Sequence, residues 1–392
     1  MAGRKSALSE LKKRRETKGR LLKTSDQEFW NDLYRQWQRG RIVPIVGGTV
    51  RNNRIFDLDD DDDIGLAHPD RARNSFDVLD RMASDHLSID EELAEMWADK
   101  IGYPFPDVTN LTRVAQFNRI TSDHTDQAKS KYLQFLKECL LDVAERDPAL
   151  TELVQGLRTQ LVSLSFSEIA AELDYPRFTQ QRPDPLRELA RLRLPIYITT
   201  SYHDFLERAL RAEGATHVRT QFCLWNMNQE IVDTEHLPER GYAPTAQEPV
   251  VYHLHGYEEY PASLVLSEDD YLDYLLALAH DTNANQPLIP PYIRTALEVS
   301  SLLLLGYRLQ DWDFRILYRG LINAQHGQFR ELNDMYGIAI QLDPKFQTEI
   351  QAKAEARQYL NDYFKDANFR VEWSSIDRFI AMLWAEFDKR RR

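Results

Sequence analysis

Two histidines stand two residues apart at the end of an apolar run, and a glycine follows the second of them. His253 and His255 lie in the run 250–256, which Gly256 closes. Side chains alternate along a strand, so the two imidazoles are expected to share one face. Imidazole titrates near neutral pH, which suits general acid–base chemistry as well as zinc binding. No cysteine lies nearby and no third ligand is evident, which disfavours a zinc site.

A dense polar cluster follows a second apolar run, 195–200. Thr200, Ser201 and Asp204 supply two hydroxyls and a carboxylate along one short stretch. Such groups can position water and bind sugar hydroxyls. A helix cap is the other interpretation, because Ser201 or Asp204 could accept backbone N–H groups at the start of a helix predicted at 205–211. The two interpretations are compatible.

Glycines end two further apolar runs, 41–46 and 301–305. The first run is followed by Gly47-Gly48-Thr49 and the second by Gly306-Tyr307-Arg308. Glycine lets a backbone approach a phosphate closely, and free amides at such a turn bind its charge. The arginine could pair with a phosphate as well. An ordinary tight turn remains the alternative for the first glycine pair.

Each of these four segments follows a predicted strand, and two more strands are predicted at 337–342 and 369–373. Predicted helices alternate with the strands, which indicates an α/β fold with a Rossmann-like parallel sheet flanked by helices. Ligands of such sheets bind at the carboxyl ends of the strands. We therefore expect the four segments to converge on one cleft. His255 is expected at its solvent-facing rim, within side-chain reach of Gly47 and Ser201.

Helical periodicity dominates the region between the first and second of these segments. Apolar residues recur at helical spacing over 132–143 and 150–161, which predicts buried helix faces. We predict a large helical insert over about 57–190, within one domain at 25–392. The acidic run 57–63 is interpreted as a solvated loop, with a divalent-cation site as the alternative. Residues 1–24 are rich in lysine and arginine and are predicted to form a flexible arm.

Composition narrows the class of protein. The chain has 392 residues, 43% of them hydrophobic, which is enough to bury a substantial core. A formal net charge of -13 argues against a general polyanion binder. With only two cysteines, neither a disulfide framework nor a four-cysteine zinc site is expected. The polar start and the short apolar runs predict a cytoplasmic protein without a signal peptide or a membrane span.

The four segments, taken together and in this order, resemble the sirtuin-like family of NAD-binding domains. The matching residues are Gly47-Gly48, Thr199-Thr200, Leu254-His255-Gly256 and Gly306-Tyr307. The resemblance covers roughly residues 28–380. It implies that His255 is the general base, with Ser201 and Asp204 positioning water and the ribose. It also implies a set of residues that bind NAD, namely Gly47, Gly48, Thr49, Thr200, Gly306, Tyr307 and Arg308.

The chain departs from the family pattern at several positions. Thr49 stands where the family usually has a second glycine, Ser201 where it has an asparagine, and Arg308 where it has a serine. His203 stands where an aspartate is common. The zinc-ribbon cysteines of deacylating sirtuins are absent, and a helical insert takes the place between the first two motifs. In these respects the chain resembles the prokaryotic antiviral branch, whose members degrade NAD.

The resemblance therefore implies an NAD+ hydrolase that releases nicotinamide and ADP-ribose, acts in antiphage defence by NAD depletion, and uses no zinc. It further implies a homo-oligomer, with a HerA-type hexameric ATPase or a short Argonaute as partner. Nucleic acid would be contacted only indirectly or through the basic arm. Three alternatives stay open: a protein deacylase, a non-catalytic sensor of NAD or ADP-ribose, and a nuclease active only with a partner ATPase.

Overall fold

The computed structural model describes residues 26–47, 89–122, 125–174, 184–226, 231–237, 241–281, 287–307, 337–341, 358 and 369–391. Predictions for the basic arm, for the acidic run 57–63, and for Gly48, Thr49 and Arg308 lie outside these residues. The segments after the runs 195–200 and 250–256 lie within them, as do Gly47 of the first segment and Gly306 and Tyr307 of the last.

Within the described residues, a seven-stranded parallel sheet forms the centre of the fold. Its strands are β1 (Ile42–Val46), β2 (Ile196–Thr199), β3 (Arg219–Phe222), β4 (Val250–His253), β5 (Ser301–Leu305), β6 (Gly337–Gln341) and β7 (Phe369–Trp373). They lie in the order β3-β4-β2-β1-β5-β6-β7. The predicted α/β fold with a Rossmann-like sheet is confirmed. Strands β1 and β5 are buried along their whole length, as apolar strands covered on both faces should be.

Helices cover both faces of this sheet. In chain order they are α1 (Asp26–Gln38), α2 (Ile89–Ile101), α3 (Leu111–Thr121), α4 (Thr125–Ala144), α5 (Thr151–Thr159), α6 (Phe166–Glu172), α7 (Pro185–Ala190), α8 (Phe205–Ala212), α9 (Glu268–Ala279), α10 (Pro291–Val299) and α11 (Ile376–Arg391). One hydrophobic cluster joins α1 through α8 and α11 to one face, and a second joins α9 and α10 to the other. No helix among the described residues is both long and apolar enough to cross a bilayer.

The described part of the chain between β1 and β2 is helical, from α2 to α7. The stripe that the sequence predicts on α4 is buried at Tyr132, Phe135, Leu136, Cys139 and Leu140. Val154 and Leu157 of α5 pack into the same cluster. These helices form a layer that shares its core with one face of the sheet. Residues 57–88, 123–124 and 175–183 of the predicted insert lie outside the described ranges.

Local sequence explains where two helices near the strand ends begin. Ser267 accepts a hydrogen bond from the backbone of Asp270, whose carboxylate accepts one from the backbone of Ser267, and this capping box starts α9. Ser165 and Glu168 form the equivalent box that starts α6. Both boxes satisfy N–H groups that a helix start leaves without partners. The two helices are thereby fixed at their amino ends.

Strand β1 lies at the middle of the sheet, at the point from which later strands are added on one side and then on the other. Strand β2 flanks β1 on one side and β5 flanks it on the other. The succeeding strands then lie outward from these two. Such a switch point opens a crevice beyond the carboxyl ends of the strands, where ligands of α/β sheets bind. The ends of β1, β2, β4 and β5 are therefore the part of the fold to examine for a site.

Candidate active site

The ends of β1 and β5 touch through two glycines. The Gly47 amide donates to the Leu305 carbonyl at 2.8 Å. A Cβ atom on Gly47 would lie 2.4 Å from the carbonyl oxygen of Gly306, which no real side chain tolerates. Gly306 itself has φ +76, a conformation that favours glycine. Glycine at 47 is therefore required by the neighbouring backbone, and this requirement exists whether or not a phosphate binds beside it.

The end of β2 is hydrogen-bonded both to the end of β1 and to the segment that follows β5. Thr199 donates its hydroxyl to the Val46 carbonyl at 2.9 Å, and the amide of Thr200 donates to the same oxygen at 3.0 Å. The hydroxyls of Thr200 and Tyr307 lie 3.2 Å apart, which joins the segment after β2 to the segment after β5. Thr200 and Tyr307, both expected at the NAD site, are thus brought into contact over the end of β1.

Ser201 lies directly beyond this contact and is buried. Its amide donates to the Thr199 hydroxyl at 3.0 Å. Its hydroxyl lies 2.8 Å from Nε2 and 3.0 Å from Nδ1 of His203, and both side chains are buried. The His203 ring in turn packs on the Phe205 ring with centroids 4.0 Å apart. The structure therefore holds Ser201 and His203 together as one buried polar pair.

Asp204 occupies the cap position of α8 but makes no side-chain cap bond. Its carboxylate pairs instead with the guanidinium of Arg208, one turn further along, at 2.7 Å. Burial raises the pKa of Asp204, and Arg208 opposes that rise only in part. The helix-cap interpretation is thus not realised by the side chain. The role of Asp204 in positioning water stays a prediction, and any ligand there would compete with Arg208.

The two histidines of the β4 segment point to opposite sides of the sheet, so the expectation that they share a face is wrong. Strand β4 ends at His253, and the chain turns before His255. His253 contacts Glu207 of α8 on one side. The ring of His255 packs edge-on against Tyr271 and Tyr274 of α9 on the other, with centroids 5.5 Å away in each case. Strand alternation fails because the strand ends two residues before His255.

His255 also lies deeper than expected. Its side chain is 4% exposed, which places it beneath the surface rather than at a solvent-facing rim. The amide of Leu254 donates to the Thr199 carbonyl at 2.8 Å, so His255 follows directly beside the end of β2. The amide of Val265 donates to the His255 carbonyl at 3.0 Å and holds the segment from the other side. The β4, β2, β1 and β5 ends thus share one edge of the sheet, while the functional roles assigned there stay predictions.

A buried carboxylate that the sequence analysis does not single out joins three parts of this edge. Glu258 accepts hydrogen bonds from the amides of Phe166 at 2.8 Å and Ser167 at 3.1 Å, and from the Ser167 hydroxyl. The same hydroxyl accepts from the amide of Asp204 at 3.1 Å. Ser167 therefore connects α6 of the helical layer to the segments that follow β2 and β4.

Replacing Glu258 with glutamine is expected to flatten the dependence of folding stability on pH. Burial raises the pKa of Glu258 from 4.5 to about 7, so the folded protein holds this proton more tightly than the unfolded chain does. The stability that the protonated carboxyl contributes is complete below pH 4.5 and is lost as pH rises through about 7. The loss is on the order of 3 kcal/mol, from about 1.4 kcal/mol per pH unit.

Urea unfolding of the wild type and of Glu258→Gln, at steps of pH across this window, measures the difference. Glutamine keeps the size of the side chain and a carbonyl oxygen for the two amides of α6, so packing is nearly matched. Stability should fall with pH more steeply in the wild type than in the variant. Parallel curves for the two proteins would contradict the assignment.

Comparison with known families places a recognised domain over part of this edge. Residues 195–370 match the family model described as SIR2-like domain. That region holds Thr200, Ser201, His255 and Gly306, while β1 and the helical layer precede it. The match supports a sirtuin-like domain here, in agreement with the resemblance that the motifs carry. No curated protein matches the chain significantly. Across the described ranges, no three His, Cys, Asp or Glu side chains group as a metal site requires.

Proposed function

We propose that this protein cleaves NAD+ at the bond between nicotinamide and ribose, giving nicotinamide and ADP-ribose. The observation that carries the proposal is the position of His255. It follows β4 at the carboxyl edge of the sheet, beside the switch point formed by β1, β2 and β5. It also lies inside the region that matches a SIR2-like domain. The strand order and the family match therefore both point to the carboxyl ends of these strands.

The leaving group does not have to be protonated in this reaction. The C1′–N1 bond breaks, and its electron pair neutralises the positive charge of the nicotinamide ring. Water then bonds to C1′ of the ribose and gives up a proton to a base. The protein must hold the dinucleotide, orient the ribose and accept that proton. Nicotinamide leaves as a neutral molecule and needs no general acid.

The residues at the strand ends divide these tasks. His255 takes the proton, and the rings of Tyr271 and Tyr274 enclose it away from bulk water. Ser201 and Asp204 position water and the ribose. The remaining residues bind the pyrophosphate and the adenosine side of NAD, and they are Gly47, Gly48, Thr49, Thr200, Gly306, Tyr307 and Arg308.

Incubation of the purified protein with NAD+, followed by chromatography for nicotinamide and ADP-ribose, tests the proposal. NADH is the matched control, because its reduced ring carries no positive charge and is a poor leaving group. Release of nicotinamide from NAD+ but not from NADH supports the proposal. Binding of NAD+ without release favours the sensor, and release only together with an acylated lysine peptide favours the deacylase.

We further propose that the reaction serves antiphage defence by depleting NAD, in a homo-oligomer. A HerA-type hexameric ATPase or a short Argonaute would then supply the trigger. The support for this context is the sirtuin-like resemblance with a helical layer in place of a zinc ribbon. Assays of NAD cleavage with and without an ATPase encoded nearby would test it, as would nuclease assays of the same mixtures.

A further inference from the structure

A fully buried pair of ionisable side chains, His253 and Glu207, lies behind the segment that carries Ser201. Nε2 of His253 is 2.8 Å from Oε1 of Glu207, and both side chains are 0% exposed. The hydroxyl of Thr220, on β3, donates to the same carboxyl oxygen at 3.0 Å. The other oxygen of Glu207 is buried and has no hydrogen-bond partner among the described residues. The pair is therefore costly to bury and incompletely satisfied.

The hydrogen bonds of His253 define where its protons are. Nδ1 lies 2.6 Å from the carbonyl oxygen of Ser201, and a carbonyl only accepts, so Nδ1 carries a proton. Nε2 then shares one more proton with Glu207. Burial lowers the pKa of His253, but the Glu207 carboxylate outweighs burial and raises it overall. The raised pKa favours an imidazolium beside a carboxylate, and in either charge state the Nδ1–H is directed at the Ser201 carbonyl.

Stability alone is a weak reason for this arrangement. Buried ion pairs are often replaced by apolar side chains at no cost in stability, because desolvation of the charges offsets their attraction. What the pair adds is a fixed orientation of the His253 ring toward the Ser201 carbonyl. The amide of Ser201 donates to the Thr199 hydroxyl at 3.0 Å, and its carbonyl accepts from His253, so the backbone of Ser201 is held by a hydrogen bond on each side of its Cα.

We propose that His253 is a positioning residue which, oriented by Glu207, fixes Ser201 for cleavage of NAD. The expected effect on kcat rests on the proposed function. The expected effect on the position of Ser201 rests on the structure alone. His253 reaches Ser201 through the backbone and lies on the opposite side of the sheet from the His255 ring. It therefore acts through another residue rather than on the substrate.

Two substitutions separate the two hydrogen bonds of His253. His253→Asn places an amide N–H near the position of Nδ1 and keeps the bond to Ser201, but does not reach Glu207. His253→Gln reaches toward Glu207 and gives up the bond to Ser201. We expect kcat to fall about 10²-fold in the Gln variant, the usual effect of misplacing a catalytic group by about 1 Å. The Asn variant should stay within a few-fold of wild type, and KM should change little in both.

Glu207→Gln provides a variant that retains size. Its amide can hydrogen-bond a neutral His253 that still donates from Nδ1, so Ser201 stays in place and kcat should stay within a few-fold of wild type. Equal losses in His253→Asn and His253→Gln would overturn the proposal. So would a loss in Glu207→Gln as large as that in His253→Gln, since charge rather than position would then matter.

Hydrogen exchange of the amides in 200–205 provides a readout that needs no catalysis. Exchange should be faster in His253→Gln than in His253→Asn and the wild type. If the wild type fails to cleave NAD, the proposed function falls, and this comparison still decides the inference. Equal exchange in the two folded variants would overturn it.

Discussion

Replacement of His255 by alanine is expected to abolish the release of nicotinamide from NAD+. Removing a general base typically lowers the rate by about 10²–10⁴-fold. His253 cannot take its place, because its ring lies beside Glu207 on the other side of the sheet. Chromatographic measurement of nicotinamide under saturating NAD+ gives the change in kcat directly. A variant with the wild-type rate would remove His255 from the mechanism.

The buried position of His255 calls for a second variant. Alanine would leave an unfilled space against Tyr271 and Tyr274, so the melting temperature of His255→Ala is expected to fall as well. Glutamine fills more of that space and cannot accept a proton near pH 7. His255→Gln should therefore lose as much activity while melting closer to the wild type. Activity that follows melting temperature across the two variants would indicate a packing role instead.

Loss of the Lys129 charge is expected to destabilise the fold by about 3–5 kcal/mol, the usual cost of breaking a buried ion pair. The ammonium of Lys129, on α4, lies 3.0 Å from the Asp270 carboxylate on α9. It also donates to the carbonyls of Ala262 at 3.1 Å and Leu264 at 2.5 Å. Lys129→Met keeps most of the side-chain volume, but leaves Asp270 and both carbonyls without this donor.

Chemical denaturation of Lys129→Met, Asp270→Asn and the double variant measures this coupling. The double variant should be more stable than the sum of the two single losses predicts, by about 0.5–3 kcal/mol, because neither charge is then left buried alone. Arg119→Met is a suitable comparison, since its guanidinium lies 3.8 Å from Asp270 and is more exposed. A midpoint of denaturation in Lys129→Met equal to that of the wild type would contradict the expectation.

The parts of the fold that depend on local sequence could be predicted. Continuous apolar runs with glycine behind them identify β1 and β5, since few other structures bury every residue of such a run. The same pattern places the four segments at one edge. The edge strand β3 is different, because Arg219 and Thr220 at its start are only half-buried and its sequence has no apolar run. Its place beside β4 is decided by pairing, which one strand's sequence does not encode.

The contacts that build the site depend on residues far apart in the chain. Glu207 meets His253 across 46 positions, and Glu258 meets Ser167 across 91. Glu207 is one of three charged residues in α8, with Arg208 and Arg211, so its residue type alone did not mark it as the buried one. The depth of His255 was also beyond the sequence, because it follows from the packing of α9. Residue types therefore identified the edge, while tertiary packing decided which side chains meet there.

The junction at Ser167 makes the helical layer and the strand-end segments parts of one thermodynamic cycle. A partner that binds the helical layer and displaces α6 would release the Glu258 carboxylate and the Asp204 amide together. The affinity for a ligand at the sheet edge would change with them. Linkage then requires the ligand to change the affinity for that partner by the same factor, typically about 5–150-fold. A partner on the outer surface of the helices would in this way sense whether a ligand occupies the carboxyl ends of the strands.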